Sequence, residues 1–271
     1  MPQLQNKFSR LIRKSPTEIA ASIKWHVVDL QRSCISKIRF GLTTWLPTGV
    51  LPHFTAYYPD SIRSFPDRDD LYRRWIRGNK INNNGDAARF MGLLLNLRQL
   101  QDEGIEGDFA ELGVWKGNSA ALLAAYAEKS ERKLYLFDTF TGFNPCDAEG
   151  DGRAKHGDFT DTSIGYVRAT VGRDSTAVYI PGYFPESVTP EVQAGRFALV
   201  HIDCDLYAPM KAALEFFYPR TNTGGMMILH DYSSGNWSGA TKAIDEFRKG
   251  TGEHISLWPD KSGTAILRKS R

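Results

Sequence analysis

From residue 86 onward, hydrophobic residues recur along the chain at two alternating spacings. Apolar residues at helical spacing predict helices over 87–103, 118–129, 164–171, 210–218 and 239–249. Short apolar runs predict buried strands over 107–111, 133–138, 177–180, 197–203 and 224–231. Because helices and strands alternate, the pattern predicts an α/β domain whose parallel sheet carries helices on both faces.

Two further apolar segments, 255–258 and 263–268, flank a turn that begins at Pro259. Apolar runs joined by a short loop with proline and glycine indicate a β-hairpin. The sheet is then expected to have seven strands, mostly parallel, with an antiparallel last strand. We assign residues 86–271 to this single domain.

Residues 1–85 differ from this domain and are expected to form a helical and lid extension. Residues 1–59 contain eight Lys or Arg and two acids, a net charge of +6 within a chain of +3. Helical spacing of apolar residues within 19–38 predicts a one-sided helix. We favour its packing on its own domain or on a second subunit of a homo-oligomer; the alternative is contact of residues 1–40 with an anionic membrane surface. The proline-punctuated stretch within 41–85 predicts a lid that selects the acceptor.

The overall composition fits a folded cytoplasmic protein. With 271 residues, of which 41% are hydrophobic, the chain can bury a full core. No apolar run approaches the roughly twenty residues of a membrane span, and no secretory signal is expected. Three scattered cysteines predict neither a disulfide framework nor a zinc site. Because only residues 1–59 are notably basic, we expect no nucleic-acid partner.

The segment ELGVWKG at 111–117 lies between a predicted strand and a predicted helix. Gly113 and Gly117 allow a tight turn and a close approach of a ligand, and the first turn of the helix offers unpaired N–H groups. The fingerprint G-x-G-x-x-G is absent, which argues against a nicotinamide oxidoreductase. The spacing is instead that of the E/D-x-G-x-x-x-G loop of class I S-adenosylmethionine (SAM) methyltransferases. The alternative is a tight turn without a ligand.

Asp138 ends the next predicted strand, about twenty residues beyond the loop. Ligands of parallel sheets bind at the carboxyl ends of strands, and a carboxylate there can accept both hydroxyls of a ribose. The alternative is that Asp138 only caps the next turn. Together the loop and Asp138 predict an adenosyl ligand, and they argue against a binding scaffold that has lost its site.

Asp203, His230 and Asp231 stand at the ends of the fourth and fifth predicted strands. Adjacent strands would bring them to the same edge of the sheet as the SAM loop. Carboxylates and imidazole suit Mg²⁺, Mn²⁺ or similar ions, which would lower the pKa of an acceptor hydroxyl. The alternative is that these residues cap the following helices. We favour a role in the reaction over helix capping, because three such residues meet beside one nucleotide site.

Taken in order, these motifs resemble the macrocin and aminocoumarin sugar O-methyltransferases, a metal-dependent class I family. The matching blocks lie at 107–117, 137–143, 157–159, 182–184, 202–207, 224–225 and 230–232. The resemblance implies a Rossmann-like class I methyltransferase fold over residues 85–250. It also implies methyl transfer from SAM to a hydroxyl, on a sugar in a glycan or glycosylated metabolite.

The same resemblance implies roles for individual residues. Asp203 would be a metal ligand and general base, Asp231 a second ligand, and the loop near Asp158 and Gly182 would approach the adenine. With neighbouring residues of the motifs, the expected SAM-binding set is Glu111, Gly113, Val114, Trp115, Gly117, Asn118, Ser119, Asp138, Thr139, Phe140, Asp158, Phe159, Gly182 and Asp203.

One position departs from the family pattern. The family has two acids before the tyrosine of the last block, whereas this chain has His230 and Asp231 before Tyr232. A neutral imidazole would hold Mg²⁺ more weakly. Two mechanisms therefore stay open: Asp203, His230 and Asp231 bind a divalent ion, or His230 or Asp203 acts as a base without one.

Four other side chains have weaker patterns. His156 is a lesser candidate base in a long loop, and His201 is expected to pack inside the fourth strand. Trp115 and Trp237 either stack on the face of a sugar or pack in the core.

Overall fold

The computed structural model describes residue 75 and residues 86–149, 154–155 and 157–270. The helices are α1 (Ala87–Asp102), α2 (Asn118–Lys129), α3 (Pro145–Glu149), α4 (Ile164–Val171), α5 (Pro190–Ala194), α6 (Tyr207–Phe217) and α7 (Ser238–Thr251), with a 3-10 turn at Tyr218–Arg220. The strands are β1 (Asp108–Leu112), β2 (Leu134–Asp138), β3 (Ala177–Pro181), β4 (Phe197–Ile202), β5 (Thr221–Leu229), β6 (Ser256–Leu257) and β7 (Ala265–Arg268). The alternation predicted from apolar spacing is confirmed.

Within the described ranges the strands form one seven-stranded sheet in the order β3-β2-β1-β4-β5-β7-β6. The strands from β1 to β5 pair in parallel, and β7 pairs antiparallel with β5 and with β6. The predicted α/β fold with an antiparallel last strand is therefore confirmed. The chain order reverses between β1 and β4, and such a switch point opens a crevice at the carboxyl ends of the strands.

Three short elements are absent from the prediction, and several element boundaries are shifted by one to three residues. The elements α3, α5 and the 3-10 turn have at most five residues each, which is too short for a helical period to show. The strand β5 begins at Thr221 rather than at 224, because its pairing with β4 continues across a register shift between Phe197 and Leu199. Gly224 has a φ of 81° in this irregular stretch, a conformation that glycine adopts without strain.

The hydrophobic core forms one layer on each side of the sheet. The first layer packs α1, α2 and α4 on the strands and includes the fully buried side chains of Leu97 and Leu123. The second packs α6 and α7 and includes Phe217 and Ile244. Burying one side chain of this size contributes roughly 1.5–3 kcal/mol. The two layers therefore hold the strand ends, where the candidate site lies, on a rigid support.

The start of α1 is tied to the C-terminal hairpin. The Asp86 carboxylate accepts hydrogen bonds from the backbone N–H groups of Arg89 at 3.3 Å and Lys261 at 3.4 Å. The indole Nε1 of Trp258 donates to the carbonyl of Ala88 at 2.8 Å. A side-chain cap of the kind that Asp86 provides stabilises a helix by about 1 kcal/mol. These contacts fix the first turn of α1, which carries Arg89.

The predictions for residues 1–85 lie outside the described residues, apart from Trp75. Trp75 is buried, and its ring centroid lies 5.8 Å from that of Phe90. The one-sided helix, the lid and the domain boundary at residue 85 stay predictions. No helix in the described part of the chain has the length and hydropathy needed to cross a bilayer.

Candidate active site

The loop between β1 and α2 turns at two glycines. Gly113 has a φ of 86°, and a Cβ there would lie 2.0 Å from the carbonyl oxygen of Asp203. The absence of a side chain therefore lets the loop lie directly against the end of β4. Gly117 has a φ of 79° and begins α2 without a side-chain cap among the described residues. The first turn of α2 keeps backbone N–H groups for a ligand.

Asp138, at the end of β2, holds this loop through backbone hydrogen bonds. Its Oδ2 accepts the N–H groups of Val114 and Trp115, both at 2.8 Å, and its Oδ1 accepts that of Phe140 at 2.7 Å. A carboxylate offers about four lone-pair positions, so Oδ1 keeps capacity for a ribose hydroxyl. Asp138 therefore caps the following turn, as the alternative interpretation held, and also lines the cavity described next.

A cavity of about 330 Å³ opens at the carboxyl ends of β1, β2, β4 and β5. Its lining includes most of the residues predicted from the sequence. They are Gly113, Val114, Trp115, Asn118, Ser119, Asp138, Thr139, Phe159, Gly182, Asp203, His230 and Asp231. The structure thus brings the predicted SAM loop and the predicted acid and imidazole groups into one cavity.

Glu111 is not part of this lining, so its predicted direct contact with SAM is not supported. Its side chain is fully buried, and its Oε1 lies 2.8 Å from Nδ1 of His201 on β4. Successive side chains of a strand point to opposite faces, so Leu112 reaches the cavity while Glu111 points into the interior. His201 is buried in its strand, as expected, and it holds Glu111 beneath the loop.

Gly117, Phe140 and Asp158 also lie outside the cavity lining. A Cβ on Gly117 would lie 3.0 Å from Val167 Cγ1, so this glycine allows close packing of α4. Phe140 is buried, and the Asp158 carboxylate accepts the N–H of Lys155 at 3.0 Å. These three residues shape loops and helix packing and do not line the cavity. The remaining candidate base, residue 156, lies outside the described residues.

Four aromatic residues of the lining, Trp115, Phe143, Phe159 and Trp237, form a cluster called here the aromatic wall. Ring centroids lie 4.9 Å apart for Phe143 and Phe159, 5.2 Å for Trp115 and Phe159, and 5.8 Å for Phe143 and Trp237. Both tryptophans are only half-buried, and Nζ of Lys116 lies 4.4 Å from the ring centroid of Trp115. Phe143 is missing from the predicted set, although it ends the matching block at 137–143.

Arg89, Asp203, His230 and Asp231 form a charge cluster that also lines the cavity. Nη2 of Arg89 lies 2.5 Å from Oδ2 of Asp203. Nδ1 of His230 lies 2.7 Å from Oδ1 of Asp203 and 2.6 Å from Oδ2 of Asp231. The three residues predicted from the strand ends therefore do meet. Arg89 is absent from the predicted site residues. It is 114 residues from Asp203 in sequence, and the pattern around it indicates only a helix.

The charge cluster shifts the protonation of its members. Burial would raise the pKa of Asp203, but His230 and Arg89 outweigh it and lower that pKa. Burial and Arg89 lower the pKa of His230, whereas Asp203 and Asp231 raise it to about 9. Burial raises the pKa of the neighbouring Asp205 well above its ordinary value, and the charges of Asp231 and Asp203 add to this. At neutral pH, Asp203 is therefore ionised and His230 is a cation, while the environment of Asp205 favours its protonated form.

Four non-glycine residues of the lining have a left-handed backbone. The φ angles are 44° for Trp115, 60° for Phe159, 62° for Asp205 and 61° for Asp231. Such conformations cost about 1–3 kcal/mol each and persist where the surrounding structure enforces them, often at functional sites. The strain is therefore concentrated around the cavity, where side chains need a fixed direction.

The predicted metal ligands lie close enough to share an ion. One donor atom from each of Asp203, His230 and Asp231 lies within 4.8 Å of the others. However, both oxygens of Asp203 already face N–H donors, and one donor is the permanently charged Arg89. Mg²⁺ takes mainly oxygen ligands in near-octahedral geometry, and an adjacent guanidinium opposes it. As arranged, these residues fit a self-compensating cluster better than a divalent-ion site, and the ion stays a prediction.

Comparison with known proteins gives matches over most of this domain. The sequence model of the macrocin O-methyltransferase (TylF) family matches residues 85–258. The chain is 30% identical over 145 residues to the 8-demethyl-8-(2,3-dimethoxy-alpha-L-rhamnosyl)-tetracenomycin-C 4'-O-methyltransferase of Streptomyces olivaceus, covering 48% of this chain and 55% of that protein. It is 29% identical over 163 residues to the mycinamicin III 3''-O-methyltransferase of Micromonospora griseorubida, covering 54% and 62%. The chain thus spans less than two thirds of the length of either relative.

The O-methyltransferase NovP shares the fold. It superposes with a TM-score of 0.59 at 21% identity, covering 68% of this chain and 81% of that one. This likeness shows the class I methyltransferase fold alone. The family match is more specific, because it extends from the start of α1 through β6 and confirms the resemblance inferred from the motifs. The chain belongs to the macrocin O-methyltransferase (TylF) family.

Proposed function

We propose that this protein is a SAM-dependent O-methyltransferase that methylates a sugar hydroxyl of a glycosylated small molecule. The single observation that carries the proposal is one cavity that contains both the glycine loop with Asp138 and the Asp203 carboxylate. Gly113 joins the two parts, since it lies directly against the end of β4. The names of the two relatives support the acceptor class, because one names a rhamnosyl tetracenomycin and the other mycinamicin III.

The SAM end of the cavity offers a partner for each part of the ligand. When bound, SAM supplies a methyl group on a cationic sulfonium, from which the acceptor oxygen takes it in line. The first turn of α2 offers N–H groups to the methionyl carboxylate. The buried Oδ1 of Asn118 has no hydrogen-bond partner among the described residues, so it can accept a hydrogen bond from the methionyl ammonium group. Asp138 would accept the ribose hydroxyls, and Phe159 and Gly182, which also line the cavity, would lie beside the adenine.

At the acceptor end, Asp203 takes the proton of the hydroxyl. As the new C–O bond forms, the oxygen becomes strongly acidic, so even a carboxylate with a lowered pKa can accept the proton. The Nδ1 of His230 lies between Oδ1 of Asp203 and Oδ2 of Asp231, so the two carboxylates share its one N–H. Because a weak base is sufficient, alignment of the hydroxyl with the methyl group contributes most of the rate.

Two versions of this mechanism differ in the need for a divalent ion. In one, Asp203, His230 and Asp231 hold Mg²⁺ or Mn²⁺, which lowers the pKa of the acceptor hydroxyl. In the other, the charge cluster works without an ion. We favour the second, because Arg89 and His230 already occupy both oxygens of Asp203. Chelator treatment separates the two versions. If a chelator abolishes activity and Mg²⁺ restores it, the mechanism needs the ion. If activity is unchanged in chelator, the charge cluster works without an ion.

Within the aromatic wall, Trp237 suits a sugar acceptor. Tryptophan rings pack against apolar faces while leaving polar groups hydrated, and Trp237 is only half-buried. Homo-oligomer formation and the membrane alternative for residues 1–40 stay predictions. Deleting residues 1–40 tests both, since subunit packing predicts a changed oligomer in light scattering and negligible binding of anionic vesicles by either form.

Calorimetry with S-adenosylhomocysteine tests the cofactor half of the proposal. Methyl-labelled SAM with a panel of capsular, lipopolysaccharide-type and natural-product glycosides then tests the acceptor. Label transferred to a glycoside hydroxyl supports the proposal. A folded protein that binds neither SAM nor S-adenosylhomocysteine would contradict it.

A further inference from the structure

Arg89 has a fixed place beside Asp203. Its helix turn is held by Asp86 and by Trp258. Its guanidinium lies 5.6 Å from the ring centroid of Trp75, and its side chain is only 14% exposed. The 2.5 Å contact between Nη2 and Asp203 Oδ2 is that of a charge-assisted hydrogen bond. Arg89 is therefore a built-in part of the acceptor end and not a mobile surface cation.

We propose that Arg89 is the resident cation of this site and stands in for the divalent ion implied by the family resemblance. The proposal rests on the proposed function, because it concerns the residue that holds the acceptor base. Arg89 is a positioning residue: its guanidinium orients the Asp203 carboxylate, and its charge compensates the oxygen that loses its proton.

The geometry leaves little place for an ion. Oδ2 of Asp203 is 2.5 Å from Arg89, so an ion bound to that oxygen at about 2.1 Å would lie within roughly 5 Å of the guanidinium. Repulsion between a divalent and a monovalent cation at that distance is strong in a partly buried site. Oδ1 of Asp203 and Oδ2 of Asp231 both face Nδ1 of His230. An ion would have to displace these contacts.

The sequence departure at His230 supports the same conclusion. Carboxylates at positions 203, 230 and 231 would carry a charge of −3. In this chain, Asp203, Asp231 and Arg89 together carry −1 even with a neutral His230. Hard divalent ions bind most tightly where anionic oxygens are in excess. The replacement of an acid by His230 and the presence of Arg89 therefore both lower the affinity of the site for a divalent ion.

Binding of Mn²⁺, followed by electron paramagnetic resonance and calorimetry, tests the proposal without the acceptor. We expect the wild-type protein to bind no Mn²⁺ at this site at millimolar concentration. The double variant Arg89→Met/His230→Asp restores three carboxylates and removes the guanidinium, so it should bind one Mn²⁺ at least about tenfold more tightly than His230→Asp alone. Arg89→Lys/His230→Asp keeps the charge and should bind no better than His230→Asp.

The matched control is Arg98→Met/His230→Asp, which removes an exposed arginine from the same helix. One Mn²⁺ per wild-type chain, lost in Asp203→Asn, would overturn the proposal. A folded Arg89→Met/His230→Asp variant with no more affinity than the Arg98 control would also overturn it, since Arg89 would then not exclude the ion. All variants are titrated with S-adenosylhomocysteine as well. Absence of that binding in the wild type would contradict the proposed function and not the role of Arg89.

Discussion

The two ends of the cavity are held by different interactions. At the SAM end, Asp138 accepts three backbone N–H groups, and Gly113 lets a loop touch the end of a strand. At the acceptor end, the side chains of Arg89, Asp203 and His230 compensate one another's charge. The first end therefore depends on backbone conformation and shape, and the second on charge. A substitution at one end should change a different measurable quantity from a substitution at the other.

The largest effect is expected from Gly113→Ala. The added Cβ would lie 2.0 Å from the Asp203 carbonyl oxygen at a φ of 86°. We expect the free energy of unfolding to fall by roughly 3 kcal/mol or more, with loss of S-adenosylhomocysteine binding. Denaturant unfolding measures the first quantity and calorimetry the second. The matched control is Gly104→Ala, which has a φ of 64° and no neighbour within 4 Å. Equal losses in both variants would show that strain alone, and not contact with β4, sets the effect.

Asp203→Asn should affect rate and leave cofactor affinity nearly unchanged. The amide keeps the shape but loses the charge and the proton acceptor. We expect turnover to fall about a hundredfold or more, or about 2.7 kcal/mol of barrier. The measurement is methyl transfer to the acceptor identified in the glycoside panel, at saturating SAM. A wild-type rate for this variant would contradict the assignment of Asp203 in both versions of the mechanism.

Asp138→Ala should show the reverse pattern. It removes the ribose acceptor and releases the N–H groups of Val114 and Trp115. We expect S-adenosylhomocysteine to bind more weakly by about 2 kcal/mol, or roughly thirtyfold. Turnover at saturating SAM should change much less than in Asp203→Asn. Unchanged affinity in a folded variant would remove the basis for placing the ribose at Asp138.

Trp237→Ala should have the smallest effect, on the acceptor alone. Loss of this ring from the aromatic wall should raise the KM for a glycoside by about fivefold, with kcat little changed. This corresponds to about 1 kcal/mol of binding free energy. Tyr166→Ala is the control, because Tyr166 is an exposed aromatic residue outside the cavity lining. A similar KM change in the two variants would assign Trp237 a packing role only.

The sequence predicts the SAM end better than the acceptor end, for physical reasons. A glycine loop between a strand and a helix is contiguous in sequence, so its spacing shows in the chain. Arg89 and Asp203 meet only through the packing of α1 against the sheet edge, which no local pattern records. Glu111 is predicted to contact SAM because it is the first residue of the motif. In the structure its side chain contacts His201 instead, since side chains alternate between the two faces along β1. The mostly parallel sheet follows from the alternation of elements, while short helices such as α3 leave no periodic signal.

The tie between α1 and the C-terminal hairpin has a consequence for biosynthesis. Asp86 and Ala88 are among the first described residues, but their partners Lys261 and Trp258 are among the last. Segments nearer the N-terminus leave the ribosome first and can fold earlier. The strand ends that carry Asp203 and His230 are thus made before the residues that brace Arg89. The counter-charge of Asp203 is therefore fixed in place only after the C-terminal hairpin has been made.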